Sequence, residues 1–325
     1  MTKLKVREAI KDVNKPVSQI TLGTAFYNIN DKEKWFEILD TFVEVGGTII
    51  DSARGYGSSE DVIGAWLGER SMREKLVLIT KCGLNGPGVL VADGYPKMVS
   101  EELSKSLETL GTDYIDVYML HRDNRSMPVA DILGPLNEYM VKGKIKALGA
   151  SNWEYRRVDQ ANEYADKHGM TGFNVVSNNI SLAVPTAAFY TGLVSTDRMG
   201  EWWHGETGIP LIPWSSQARG FFTGRYNPEM ARKIANGEMD ADGFTKRMVT
   251  VYCTDDNFQR LERAEKIGQK KGGYTAVEVA LAWLLHKPYN IVPIVGPHTR
   301  DELLSCVKAA SLYLSDDEIK WLDLK

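Results

Sequence analysis

The chain has 325 residues, 43% of them hydrophobic and 25% charged, with a formal net charge of −4. These values are ordinary for a soluble globular protein, and the length suits one large α/β barrel or two ordinary domains. The acidic balance argues against nucleic acid as a partner, because phosphate binding needs a basic face. The three cysteines, Cys82, Cys253 and Cys306, have no metal or disulfide spacing, which suits a reducing cytosol. Residues 1–8 are charged and lack an apolar signal core, and the most apolar helix-like segment, 276–285, is too short to cross a bilayer and carries Glu278. The expectation is a cytoplasmic protein with no membrane partner.

In chain order, 17–23 reads as a first strand. A helix over 31–45 follows, with Trp35, Ile38, Leu39 and Phe42 at helical spacing, and Gly46-Gly47 stops it. Residues 48–51 form a β-branched, apolar strand of the kind buried on both faces, ending in Asp51. Gly55 and Gly57 then flank Tyr56 in a turn, and Ser58 or Ser59 caps a helix to about Glu69. A third strand, 76–80, ends in Lys81, and 83–94 is a loop. A helix over 100–110 has Glu101 and Glu102 at its start, and a fourth strand, 115–120, ends in His121. A helix over 127–141, a strand over 145–150 ending in Ser151-Asn152, and a helix over 153–168 come next. Strands are expected over 173–177, 211–214 and 291–295, and helices over 258–271, 276–285, 301–309 and 316–324. Residues 192–208 and 225–250 are long connections that suit pocket loops. Eight strands alternating with helices predict a (β/α)8 TIM barrel, one domain over 1–325. The alternative is an open doubly wound sheet. It is disfavoured because no phosphate fingerprint follows the first strand, and the partial match over 55–60 has Glu60 where the third glycine belongs.

In such a barrel the C-terminal ends of the strands meet at one mouth, where catalytic residues gather. Asp51, Lys81 and His121 end three consecutive strands, and Tyr56 follows the first. Singly, each has a plain explanation: Asp51 caps a turn, Lys81 is a solvated loop lysine, His121 a satisfied histidine beside Arg122 and Asp123. Together they suggest proton chemistry. A lysine ammonium lowers the pKa of a neighbouring phenol, and moving it from about 10 to near 7 takes ~4 kcal/mol. Asp51 would hold Lys81, Tyr56 would donate a proton to an oxygen whose carbon accepts a hydride, and His121 would orient that oxygen.

The chain resembles the aldo-keto reductase family from near residue 17 onward. The motifs are Gly47-Thr48-Ile49-Ile50-Asp51-Ser52-Ala53 with Tyr56-Gly57 and Ser59-Glu60, then Ile79-Thr80-Lys81. Ser106-Leu107, Leu110, Asp113-Tyr114-Ile115-Asp116 and Leu120-His121 follow, then Gly149-Ala150-Ser151-Asn152, Pro213-Trp214-Ser215 and Val292-Pro293-Ile294-Val295-Gly296. The resemblance implies a (β/α)8 barrel, NAD(P)(H)-dependent reduction of an aldehyde or ketone, sugar-derived ones included, and the roles given above for Asp51, Tyr56, Lys81 and His121. It implies that Ser151 and Asn152 bind the nicotinamide carboxamide and that Trp214 stacks on the ring. It places Ser215, Gln217, Arg219 and Gly220 in the loop over the pyrophosphate, with Gly23, Thr24 and Gly296 along the cofactor. His298, Arg300 and Glu302 fall at the adenosine end.

The chain departs from the family pattern in two places. Ser177 stands where a glutamine is usual after the sixth strand. Glu302, Ser305 and Cys306 stand where the adenine end usually has Arg or Gln, then Glu-Asn. Glu302 would repel a 2′-phosphate, whereas His298 and Arg300 would attract one, so NADP is expected with NAD as the alternative. Loops at the mouth offer Phe26, Tyr27, Arg122, Asp123, Trp202 and Trp203 as pocket walls for a small carbonyl substrate, sugars and small aldehydes both fitting. A regulatory subunit that binds nucleotide with little turnover is the rival function. A metal-dependent hydrolase is disfavoured because the five histidines show no ligand spacing, and no metal is expected.

Overall fold

The computed structural model describes residues 3–84 and 90–325. Residues 1–2 of the charged N-terminus and 85–89 of the loop expected over 83–94 lie outside the described residues. The central sheet is seven-stranded and parallel. In chain order its strands are β3 (Thr21–Gly23), β4 (Ile49–Asp51), β5 (Val77–Cys82), β6 (Ile115–Leu120), β7 (Ile145–Ser151), β8 (Phe173–Ser177) and β9 (Ile294–Val295), and their spatial order is β8-β7-β6-β5-β4-β3-β9. A curled parallel sheet clothed in helices is consistent with a (β/α)8 barrel. Regular strand pairing does not close it between β8 and β9.

The expected first strand is two pieces. Val17–Ser18 (β2) pairs antiparallel with Val6–Arg7 (β1), and only Thr21–Gly23 enters the main sheet. The expected strand over 211–214 is reduced to isolated parallel bridges, Leu211 with Val176 on one side and with Ile291 on the other. Its neighbour over 291–295 keeps only Ile294–Val295 as a strand. Pro210, Pro213 and Pro293 explain this, since each lacks the N–H that a regular ladder needs. Their carbonyls still accept, from Val176 (3.1 Å), Ile294 (2.9 Å) and Thr21 (2.9 Å) respectively.

The helices around the sheet are α1 (Lys32–Glu44), α2 (Ser59–Arg70), α3 (Tyr95–Leu110), α4 (Val129–Val141), α5 (Tyr155–His168) and α6 (Arg198–Thr207). They continue as α7 (Pro228–Ala235), α8 (Gly243–Tyr252), α9 (Asp255–Lys270), α10 (Ala276–Leu285), α11 (Arg300–Ala309) and α12 (Asp316–Leu322). Helix α3 begins a turn earlier than its charge pattern suggests, after Gly94 at φ +68° and with Pro96 in its first turn. Glu102 therefore lies within the helix, where its carboxylate accepts the Gly83 amide (3.0 Å). The two long connections contain helices: Asp197 caps α6, and Asn227 and Asp242 cap α7 and α8. No helix of the described residues is long and apolar enough to cross a membrane.

Strand parity decides what reaches the site. Ile49, Val77, Ile79, Val117, Met119, Ala147, Val175, Ile212 and Val292 form one buried cluster, floored by Ile10, Val13 and Val17. Leu78, Tyr118, Leu148 and Val176 belong to a second, larger cluster that includes the helices. Side chains alternate along a strand, so Asp51, Lys81, His121, Ser151, Ser177 and Trp214 share the inner parity of the first cluster. At that cluster's floor, Asp116 takes Lys15 (2.9 Å) and Arg73 (2.8 Å).

Candidate active site

Lys81 and Asp51 end adjacent strands and are both buried, with Lys81 Nζ 2.5 Å from Asp51 Oδ1. The ammonium also donates to the Ser52 carbonyl (2.9 Å). Burial is the largest influence on the Lys81 pKa and lowers it, but Asp51 and Tyr56 act the other way and the net direction is upward. Lys81 Nζ lies 5.0 Å from the centroid of the Tyr56 ring. The Tyr56 hydroxyl is 3.5 Å from His121 Nε2, and the two rings meet edge to face. The structure thus brings all four sequence-predicted residues together.

Burial is the largest influence on the Tyr56 hydroxyl and pushes its pKa up, while Lys81 pulls it down. The net direction is upward, opposite to the expectation that Lys81 would bring it toward neutrality. The phenol is therefore held in its protonated form. Burial, then the charges of Lys81 and Arg122, keep His121 well below the ordinary histidine range. A neutral imidazole at this place is suited to orienting an oxygen by a hydrogen bond.

The Tyr56 turn is clamped by a residue that sequence reasoning did not select. Glu60, in the first turn of α2, is 1% exposed. Its carboxylate accepts from Arg54 Nη1 (2.5 Å) and from Thr80 Oγ1 (2.6 Å). One side chain thereby ties the segment before Tyr56 to the residue before Lys81. Buried hydroxyls reinforce it: Ser59 Oγ lies 2.6 Å from Thr24 Oγ1 and 2.8 Å from Ser52 Oγ. Thr24 also donates to the Asp51 carbonyl (2.8 Å), so its hydroxyl holds strand ends together rather than facing a ligand. Gly23 is needed at close approach, since an added Cβ would meet Ile294 Cγ2 at 2.5 Å.

The expected nicotinamide contacts are partly occupied. Ser151 Oγ donates to the Ser177 carbonyl (2.9 Å). Asn152, at φ +62°, donates to the His121 carbonyl and to Ser151 Oγ (both 3.1 Å), and its Oδ1 accepts from the Val194 amide. The buried Ser177 hydroxyl has no partner among the described residues. Trp214 Nε1 and Arg219 Nε are likewise buried without partners among the described residues. Three residues of the following loop, Ser215, Ala218 and Arg219, take positive φ although none is glycine, and Gly220 joins them at φ +82°. Such backbone strain concentrates at functional sites, and successive left-handed residues turn amides toward a common point. The Arg219 guanidinium lies 5.7 Å from the Trp214 ring and 4.3 Å from that of Phe189. Orphaned donors and this loop are the features that a nicotinamide dinucleotide would satisfy.

At the other end, Gln217 is within 3.6 Å of Cys306 Sγ. Gly296 precedes an exposed turn in which Glu302 Oε2 accepts the His298 amide (2.6 Å) and Arg300 opens α11. Phe26 lies on the His298 ring at 4.9 Å.

The expected pocket walls divide. Arg122 is buried beside His121 and donates from Nη1 to the His121 carbonyl (2.7 Å). Asp123 faces Arg157 at 3.5 Å. Tyr27 is buried against Trp35, ring to ring at 4.4 Å, and its hydroxyl has no partner among the described residues. Trp203 is placed elsewhere. Its indole donates to Asp159 of α5 (2.6 Å), and it lines a cavity of about 280 Å³ with Tyr155, Val176, Asn178, Thr196 and His204. Val176 has the outer parity, so that cavity belongs to the helix layer, not to the tetrad. Trp202 is 56% exposed on the same helix.

The model of the Aldo/keto reductase family matches residues 19–325. The probable aryl-alcohol dehydrogenase AAD4 of Saccharomyces cerevisiae is 26% identical over 90% of this chain and 88% of its own length. Aldo-keto reductase str7 of Strobilurus tenacellus is 29% identical over 91% and 82%, and the norsolorinic acid reductase of Aspergillus flavus is 28% identical over 94% and 77%. The crystal structure of the thermostable aldo-keto reductase Tm1743, in complex with the inhibitor epalrestat, superimposes with a TM-score of 0.70 over 99% of both chains at 22% identity. These matches define the class, an NAD(P)-dependent oxidoreductase. More narrowly, the chain belongs to the aldo-keto reductase family.

Proposed function

We propose that the protein reduces the carbonyl group of a small aldehyde or ketone to an alcohol, with Tyr56 as proton donor. The observation that carries this reading is the Tyr56 hydroxyl beside His121 Nε2 and the buried Lys81–Asp51 pair, on adjacent strand ends. A bound reduced nicotinamide supplies the hydride. Tyr56 gives its proton to the carbonyl oxygen, and the Lys81 ammonium stabilises the phenolate left behind. His121, kept neutral, holds the same oxygen in line. Ser151 and Ser177 would hold the carboxamide, Trp214 the ring, and the loop from Ser215 to Gly220, with Arg219, the diphosphate. The names of the aryl-alcohol dehydrogenase relatives support aromatic aldehydes as a substrate class.

NADP is the proposed nucleotide, with His298 and Arg300 at its 2′-phosphate. NAD is the second reading, favoured by the Glu302 carboxylate at the start of the same helix. Measuring NADPH and NADH consumption with a panel of aldehydes tests both points. Tyr56→Phe removes a general acid and is expected to lower kcat by about 10²–10⁴-fold while nucleotide still quenches tryptophan fluorescence. Unchanged turnover in that variant defeats the mechanism.

A further inference from the structure

Among the described residues, two lysine or arginine side chains are buried: Lys81, 2% exposed, and Arg122, 9% exposed. Lys81 has Asp51. Arg122 has no carboxylate within ion-pair distance among the described residues, and its buried Nε has no hydrogen-bond partner. The adjacent Asp123 faces Arg157 instead, and Arg157 is further fixed by the Met127 carbonyl (2.6 Å). Several other partly buried cations have carboxylates: Arg54 has Glu60, and Lys15 and Arg73 share Asp116, whereas Arg7 and Arg219 have none among the described residues. A desolvated guanidinium without an anion is costly, so its retention calls for a ligand that supplies one.

We infer that Arg122 reads a carboxylate on the substrate, making the preferred substrate an aldehyde that carries one. The inference rests on the carbonyl-reductase reading above. Nη1 is anchored on the His121 carbonyl, which fixes the guanidinium beside the histidine that orients the reacting oxygen. The other donors of the guanidinium meet no carboxylate among the described residues, and a guanidinium presents its donors as a planar fork that matches a carboxylate. The cofactor diphosphate is a poor claimant for this group. The loop from Ser215 to Gly220 continues from Leu211, which bridges to β8, whereas Arg122 follows β6 on the far side of β7. Measured along the curled sheet, that is three strand spacings, on the order of 14 Å.

The test compares 4-carboxybenzaldehyde with benzaldehyde, using whichever nucleotide supports turnover. A charge-assisted contact predicts that kcat/KM favours the carboxylated aldehyde by about 10- to 100-fold. Arg122→Gln is expected to bring that ratio close to one, and Arg122→Lys to restore part of it. A purely structural role would lower both substrates alike and leave the ratio unchanged, which overturns the inference. So does equal use of the two aldehydes by the unmutated protein, or an Arg122→Gln effect confined to nucleotide affinity. If neither aldehyde turns over, the carbonyl-reductase reading fails. Thermal stabilisation by benzoate, compared with benzyl alcohol, then decides whether Arg122 binds carboxylates: stabilisation lost in Arg122→Gln supports it, and no stabilisation overturns it.

Discussion

Replacing Lys81 with methionine strands Asp51 inside the protein. The carboxylate is 3% exposed, and its one described cationic partner is Lys81. An unpaired buried carboxylate protonates rather than stays charged, which sets a ceiling on the loss. Taking a carboxyl with a reference pKa of about 3.9 to its neutral form at pH 7 costs about three pH units, or ~4 kcal/mol. The ceiling falls by ~1.4 kcal/mol per unit of acidification, to about 1.5 kcal/mol at pH 5. The sign follows from linkage. In the variant, the folded-state pKa of Asp51 is raised above its unfolded value, so stability is lost as pH rises through that unfolded value. Urea unfolding followed by tryptophan fluorescence at pH 5 and pH 7 reads both numbers. Lys81→Met with Asp51→Leu should recover most of the stability but no activity, because the ammonium that supports the phenolate is still missing. A single-variant loss under about 1 kcal/mol at pH 7, or one independent of pH, refutes the picture of a dry, mutually dependent pair.

Two further outcomes follow from the surrounding structure. Glu60→Gln weakens the clamp between Arg54 and Thr80 and is expected to cost about 1–3 kcal/mol of stability. It should also lower kcat more than nucleotide affinity, and an unchanged kcat would show that the Tyr56 turn is held without it. His204 is 2% exposed, bound through Nδ1 to the Ile209 carbonyl (2.7 Å), and burial lowers its pKa to about 4. Its folded value lies below the unfolded one, so its contribution is present above about pH 6.5 and is lost as pH falls toward 4. That loss amounts to roughly 3 kcal/mol. His204→Gln should flatten the acid limb of stability against pH by about that amount, measured by urea midpoints between pH 4 and 7, and an unaltered limb assigns it to other groups.

Period-two alternation and turn chemistry are local properties. They were enough to set Asp51, Lys81 and His121 at the ends of neighbouring strands, and to put Tyr56 between glycines that let its turn form. The amphipathic spacing of Trp35, Ile38, Leu39 and Phe42 likewise needs no knowledge of distant residues to mark a helix. What the linear pattern left undecided depends on partners far along the chain. The apolar run over 211–214 resembles a strand, yet prolines, which have no N–H to donate, reduce it to single bridges. Trp203 resembles a pocket wall until Asp159, more than a full helix away, claims its indole. Glu60 reads as a failed glycine position until Thr80 and Arg54 converge on it. Whether Arg122 is paired is a statement about every carboxylate around it, and only the packed chain determines which of those are already taken.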